Sequence, residues 1–393
     1  MAISKSMAVA MNKSSWIRKM FEEGARLKTL RGAENIYDFT LGNPSGEPPA
    51  VVRQRLRELA ADPSLGAHRY MPNAGLPLVR ARVAEYLASQ GGGAFTENHV
   101  IMTVGAGGGL NVVIKALCDP GDEVLVVAPY FAEYIFYASN HSAELKVART
   151  DEKFRLALGR IEDAIGPKTR ILLLNSPNNP TGAVYDEGSL REVGEILERK
   201  SKEHGRPIYL VMDEPYRKLV YDEIQVPNIF SMVRRAIAVT SHSKDLNLPG
   251  ERIGYIAIGP QNDDSAAMFD AMTMANRILG FVNAPALQQR LVGPLQGTPA
   301  EMTVYRENRM ILTEGLQQAG YDLVPPQGGF YLFPKSPIED DVKFTGMLQE
   351  RNTLVVPGSG FGAPGHFRIA FCVEPDVCRR ALPAFAEAMQ AAK

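Results

Sequence analysis

Between about residues 100 and 260, short apolar runs alternate with stretches whose apolar positions recur at helical spacing. Val100–Val104, Glu123–Val127, Thr169–Leu174, Pro207–Met212, Ala236–Thr240 and Ile253–Ile258 read as strands. Several are apolar throughout instead of alternating, which fits a sheet buried on both faces. Leu110–Leu117 and Ser189–Glu203 carry helical spacing, and the turn Asp119-Pro-Gly-Asp122 closes the first of them. Strand–helix alternation of this kind predicts an α/β fold built on a mainly parallel, doubly wound sheet.

The flanking pattern differs. A helix is predicted around Ser15–Leu30, followed by a Gly/Pro-rich stretch from Gly42 to Pro49. Beyond residue 280 the spacing predicts a long helix over Ala284–Gln318, extended chain over Tyr321–Phe333 and a helix near Phe344–Arg351. A strand around His366–Cys372 and a last helix from Pro375 follow. The expected organisation is an N-terminal arm (1–45), a large domain (46–283) and a smaller α+β domain (284–393) completed by the arm.

Composition narrows the function classes. The chain has 393 residues, and 43 Lys+Arg against 44 Asp+Glu leave a net charge of −1, without the basic excess of an electrostatic nucleic-acid binder. The apolar run Met7–Met11 is too short for a signal-peptide core or a membrane span. Cys118, Cys372 and Cys378 form neither metal-ligand spacing nor a disulfide framework, so a reduced, cytoplasmic protein without a metal site is expected.

Four polar constellations fall just after predicted strands. Thr103-Val-Gly-Ala-Gly-Gly-Gly109 opens a helix, where glycines and the helix N-terminus suit a phosphate or a tight turn equally. Leu110 occupies the third glycine position of a dinucleotide fingerprint, which disfavours a dehydrogenase. Asn175-Ser-Pro-Asn-Asn-Pro-Thr-Gly182 and Asp213-Glu-Pro-Tyr216 end the next two strands, and Ser241-His-Ser-Lys244 ends a third. Taken singly, the last three read more readily as a strand-ending turn, a helix cap and a solvated lysine. Together they lie along one sheet edge, the edge where open α/β sheets bind ligands.

Read jointly, with Pro249-Gly-Glu-Arg-Ile-Gly254 and Phe367-Arg-Ile369, these motifs resemble the class I/II aminotransferases. Those are fold type I enzymes that use pyridoxal 5′-phosphate, and the resemblance runs from about Asp38 to the C-terminus. It implies that Lys244 forms a Schiff base with the cofactor aldehyde and shuttles the substrate Cα proton. It implies that Asp213 pairs with the pyridine nitrogen, that Tyr216 and Asn179 hold the phenolic oxygen, and that Phe131 stacks on the ring, a role Tyr130 or Tyr134 could share. Phosphate would be taken by backbone N–H groups near Gly105, Ala106 and Gly107, by Ser241 and Ser243, and by Arg252. Tyr70 resembles a tyrosine that reaches the phosphate of a neighbouring subunit, which implies a homodimer. Arg368 matches the arginine that takes the substrate α-carboxylate, and Gly42 the backbone segment lying over it. His242 is expected to be a spacer.

Substrate choice is less sharply written. A lysine that one branch carries after the phosphate-turn alanine is replaced by Gly107. Arg277, six residues before Asn283-Ala-Pro285, stands near an arginine that another branch lends across the dimer to a side-chain carboxylate. Aspartate with 2-oxoglutarate is therefore the expected pair, ahead of an alanine, aromatic or broad specificity. A C–S β-lyase on the same scaffold is the rival reaction, since one quinonoid carbanion serves many outcomes. A transcription regulator is disfavoured: about 40 residues precede the matched region, without a basic recognition helix.

Overall fold

In the computed structural model, residues 2–12, 16–63 and 66–392 are described. A seven-stranded sheet runs in the order Val100–Thr103, Gly254–Ile258, Ala236–Ser241, Tyr209–Asp213, Thr169–Asn175, Glu123–Ala128, Glu144–Arg149. Only Gly254–Ile258 is antiparallel to its neighbours. Every other adjacent pair is parallel. Alternate residues of each inner strand enter opposite cores: Leu172, Leu174, Leu210 and Met212 on one face, Ile171, Leu173, Val211 and Val239 on the other. Burial on both faces is why these strands lack alternation.

All six strands expected from the sequence form, with ends shifted by one or two residues. A seventh, Glu144–Arg149, was not expected. It lies at the sheet edge with mostly exposed or half-exposed side chains, and its charged residues hide the strand signal. The helix expected from Leu110 begins at Gly105, because the glycines themselves form its first turn. Gly109 is required there by close packing, since a Cβ would sit 2.7 Å from Val239 Cγ1.

The predicted helix over Ala284–Gln318 is instead two helices, Ala286–Val292 and Thr303–Gln318. Gly293-Pro294 turns the chain into a short 3-10 segment, and Pro299 follows in an irregular link. The first helix packs beneath the large sheet through Leu291 and Val292; the second joins the C-terminal core through Tyr305, Leu312 and Leu316. Within the predicted strand Tyr321–Phe333 only Tyr331–Leu332 forms a strand, with a single antiparallel bridge from Gly328 to Val220, because Pro325-Pro326 and Gly328-Gly329 interrupt it.

A second sheet orders Val356–Pro357, Phe367–Ala370 and Tyr331–Leu332, all antiparallel. Helices Asp341–Glu350 and Pro375–Ala391 accompany it. Near the N-terminus a helix spans Trp16–Arg31; the first residue of the expected one, Ser15, lies outside the described residues. Beyond it, Tyr37–Asp38 pairs in parallel with Thr353–Leu354, and Met20, Leu27 and Ile36 pack with Phe333 and Phe361. Arm and C-terminal region thus share a core. Among the described residues, no helix is long and apolar enough to cross a membrane.

Candidate active site

The carboxyl ends of five sheet strands and the small sheet enclose a cleft of about 320 Å³, open to solvent. Twelve of the fifteen residues singled out from the sequence line it: Gly42, Ala106, Gly107, Phe131, Asn179, Asp213, Tyr216, Ser241, Ser243, Lys244, Arg252 and Arg368. Gly105 adjoins the same wall. Its φ is +67°, and a Cβ there would lie 2.6 Å from Arg252 Nη2. Tyr70 and Arg277 stand outside. Tyr70 is 92% exposed, and among the described residues Arg277 donates only to Met274 Sδ on its own helix.

Parallel strand ends explain the assembly. Asp213 closes its strand at full depth, and burial pushes its carboxyl up to about 7, opposed by a hydrogen bond from Tyr134. Tyr134 donates to Asp213 Oδ2 at 2.6 Å, so this tyrosine is a carboxylate partner and not the stacking group. Asp213 Oδ1 is buried and has no partner among the described residues. Asn175, on the adjacent strand, fastens the floor: its Nδ2 donates to Asp213 O at 2.8 Å and its Oδ1 accepts from Asn179 N at 2.6 Å.

Lys244 lies in the one-turn helix His242–Asp245 directly after its strand. Burial lowers its ammonium to about 8, aided by Arg252 and Arg368. Its Nζ donates to Gly42 O at 2.6 Å. Behind it, His242 is buried and lies 3.2 Å from Asp245 Oδ2, which also meets Lys218 Nζ at 3.0 Å. The expected spacer is therefore part of a buried charged cluster.

Arg368 is 1% exposed. It donates to Asn179 Oδ1 at 3.0 Å and to Thr40 O at 2.5 Å, and its Nε has no partner among the described residues. Its guanidinium lies 4.7 Å from the Tyr331 ring and 4.9 Å from that of Phe361. Tyr216 shares a 2.8 Å hydroxyl–hydroxyl bond with Tyr331. Phe131 is held edge-on by Tyr134, with centroids 5.6 Å apart. Lining residues that sequence reasoning passed over are Asn175, Glu133, Tyr137 and Tyr331. Only Asn175 carried a signal, as the residue opening the Asn-Pro turn.

The cleft thus brings together the glycine-rich first turn of a helix, a buried lysine whose ammonium is lowered to about 8, and a buried carboxylate oxygen that accepts from no described residue. Residues 34–385 match the family described as aminotransferase class I and II. The chain belongs to that family and is an aminotransferase. It is 33% identical to the aspartate/prephenate aminotransferase of Thermus thermophilus, with 92% of this chain and 93% of that protein covered. A crystal structure of an amino transferase from Eubacterium rectale superposes with a TM-score of 0.96 at 38% identity, covering 100% of this chain and 99% of that one. The Thermus thermophilus aspartate aminotransferase with maleate gives 0.85 at 29% identity, covering 95% and 96%. The fold is fold type I, as expected.

Proposed function

We propose that the cleft binds pyridoxal 5′-phosphate and transfers the amino group of an L-amino acid to a 2-oxo acid. The observation that carries this reading is the unpartnered Asp213 Oδ1 at the floor of the cleft that Lys244 lines. A buried carboxylate oxygen without a donor is costly, and a protonated ring nitrogen would satisfy it. Bound there, the cofactor supplies an aldehyde carbon and an electron-withdrawing ring.

The chain's own groups do the rest. Lys244, half-neutral near pH 8, offers an amine nucleophile and then a base for the substrate Cα proton. Asp213 keeps the ring nitrogen protonated. Tyr216 and Asn179 donate to the phenolic oxygen; Asn179 keeps its Nδ2 for this, because its Oδ1 is taken by Arg368. Phe131 covers one ring face. The first turn from Gly105 to Gly107, with Ser241, Ser243 and Arg252, grips the phosphate. Arg368 takes the α-carboxylate, and Gly42 orients the lysine through its carbonyl.

Aspartate with 2-oxoglutarate remains the leading pair, supported by relatives named for aspartate and by Arg277 acting from a second copy. A neutral or aromatic donor is the second reading. Its support is that, among the described residues, Lys244, Arg252 and Arg368 are the only cations lining this cleft, while Glu133 places a carboxylate there. A homodimer enters the same proposal. Tyr70, Met274, Ile278 and Val282 are exposed, and Asn73 joins their segments through bonds with Val282 O and Asn276. The expected arm, large and small regions also enter it; the packing of Ala286–Leu295 favours a second boundary nearer residue 300. A cytoplasmic location fits the three free cysteines.

A panel of amino donors with 2-oxoglutarate tests reaction and substrate together. Aspartate should give oxaloacetate and glutamate. Pyruvate and ammonia from a β-substituted donor, without amino exchange, would favour the lyase.

A further inference from the structure

Tyr331 comes from a two-residue strand that no motif announced, yet it faces the centre of the cleft. Its strand pairs Tyr331 with Ala370, which places Arg368, two residues earlier, as its diagonal neighbour on the same face. The small sheet therefore presents a phenol and a guanidinium side by side, 4.7 Å apart, toward Tyr216. Gly42 is shaped to this phenol. A Cβ at Gly42 would fall 2.0 Å from Tyr331 Oη and 2.8 Å from its Cζ.

The two hydroxyls at 2.8 Å hold one hydrogen each. Burial pushes Tyr331 up to about 12 and Tyr216 well above the ordinary phenol value, so both stay protonated at working pH. The groups facing the pair are Arg368, Cys372, Asp213 and Tyr305, with Lys244 opposite. Two protons on two bonded oxygens leave a choice of direction. If Tyr216 spends its proton on Tyr331, it has none for a ligand.

We propose that Tyr331 is a positioning residue: its hydroxyl donates to Tyr216, which frees the Tyr216 proton for the cofactor's phenolic oxygen and makes it a stronger donor. This rests on pyridoxal phosphate occupying the cleft as described above. Chained hydrogen bonds polarise one another, so the effect of Tyr331 passes through Tyr216 and not by direct contact. The second consequence is a link between regions. Arg368 and Tyr331 share one sheet face, so a substrate carboxylate that draws on Arg368 also bears on the donor behind Tyr216.

The test is a pH titration of the visible absorbance of the holoenzyme in a double-mutant cycle of Tyr331→Phe and Tyr216→Phe. A donor to the phenolic oxygen favours the deprotonated form of the cofactor-linked lysine nitrogen, because that form leaves the oxygen's charge unshared. Tyr331→Phe should therefore raise the apparent pKa by roughly half a pH unit, and Tyr216→Phe by more. The double variant should match Tyr216→Phe alone. An unmoved pKa in Tyr331→Phe, or shifts that add, would overturn the proposal while the visible band upholds the cofactor reading. Absence of any band in the wild-type protein given the vitamer would instead sink that reading. Should Tyr331→Phe not fold, Gly42→Ala, which displaces the same hydroxyl, must raise the pKa in the same direction; no rise overturns the proposal.

Discussion

Tyr134 donates to one oxygen of Asp213 and leaves the other, fully buried, with no donor among the described residues. That asymmetry gives the carboxylate a fixed orientation and a single free valence aimed at the cleft. Replacing Asp213 by Asn should preserve the fold but lower turnover by ~10²–10³-fold, the usual scale for removing one preorganised electrostatic group. Steady-state kinetics at saturating cofactor measure it, and near-normal activity would remove Asp213 from the chemistry.

The same residue gives a pH signature in the apoprotein. Burial raises the Asp213 carboxyl from 3.8 to about 7, so the folded chain binds more protons than the unfolded one between those values. Its contribution to stability is thus full below about pH 4 and is lost as pH rises toward 7, a change on the order of a few kcal/mol. Chemical denaturation across that window should show the decline in the wild-type apoprotein and a flatter profile in Asp213→Asn. Equal profiles would contradict the burial argument.

Lys244 behaves oppositely. Its ammonium is lowered from 10.5 to about 8, chiefly by burial, so the neutral nucleophile is abundant two pH units earlier than for a free lysine. The rate at which apoprotein captures pyridoxal phosphate should rise with pH and level off just above 8. Lys244→Ala should show no capture that borohydride can fix. A rate still climbing at pH 10 would argue that the amine is not held where the cleft places it.

Much of this site was legible because its parts follow the carboxyl ends of parallel strands, where position in sequence fixes position in space. Asn179, Asp213 and Lys244 each trail a buried apolar run, so alignment of the runs aligned the residues. Tyr331 and Tyr134 were not legible as partners. Their roles depend on contacts 115 and 79 residues apart in the chain, made by a two-residue strand and a short helix. The edge strand Glu144–Arg149 escaped because polar side chains on an edge obscure period-two patterning. The overlong helix from Ala284 came from giving apolar spacing more weight than Gly293-Pro294.

Arg368 donates through separate guanidinium nitrogens to Asn179 and to the Thr40 carbonyl. Lysine cannot reproduce that fork. Arg368→Lys should reduce kcat/KM by about 10–100-fold for every amino donor alike, the scale of one lost charge-assisted bond. A loss confined to one donor would show that Arg368 reads the side chain and not the shared carboxylate.

In the proposed aspartate reading, Arg277 selects the substrate. It is exposed, and its one hydrogen-bond partner among the described residues is Met274 Sδ, so among them no carboxylate or carbonyl holds the guanidinium. It lies three residues beyond exposed Met274 and one before exposed Ile278, on the apolar surface that also carries Tyr70. If two copies meet there, each Arg277 can approach the other's cleft, where Glu133 is a carboxylate with no ion-pair partner among the described residues. A second substrate carboxylate entering beside Glu133 needs that cation, because unpaired charge in a part-buried site is expensive. Arg277→Ala should then lower kcat/KM for aspartate roughly 100-fold, with alanine within about threefold of wild type. Glu133→Gln should move aspartate the other way. Equal losses for both donors in Arg277→Ala would leave the arginine a surface residue and favour the neutral or aromatic specificity, with Glu133 then repelling dicarboxylates from the cleft.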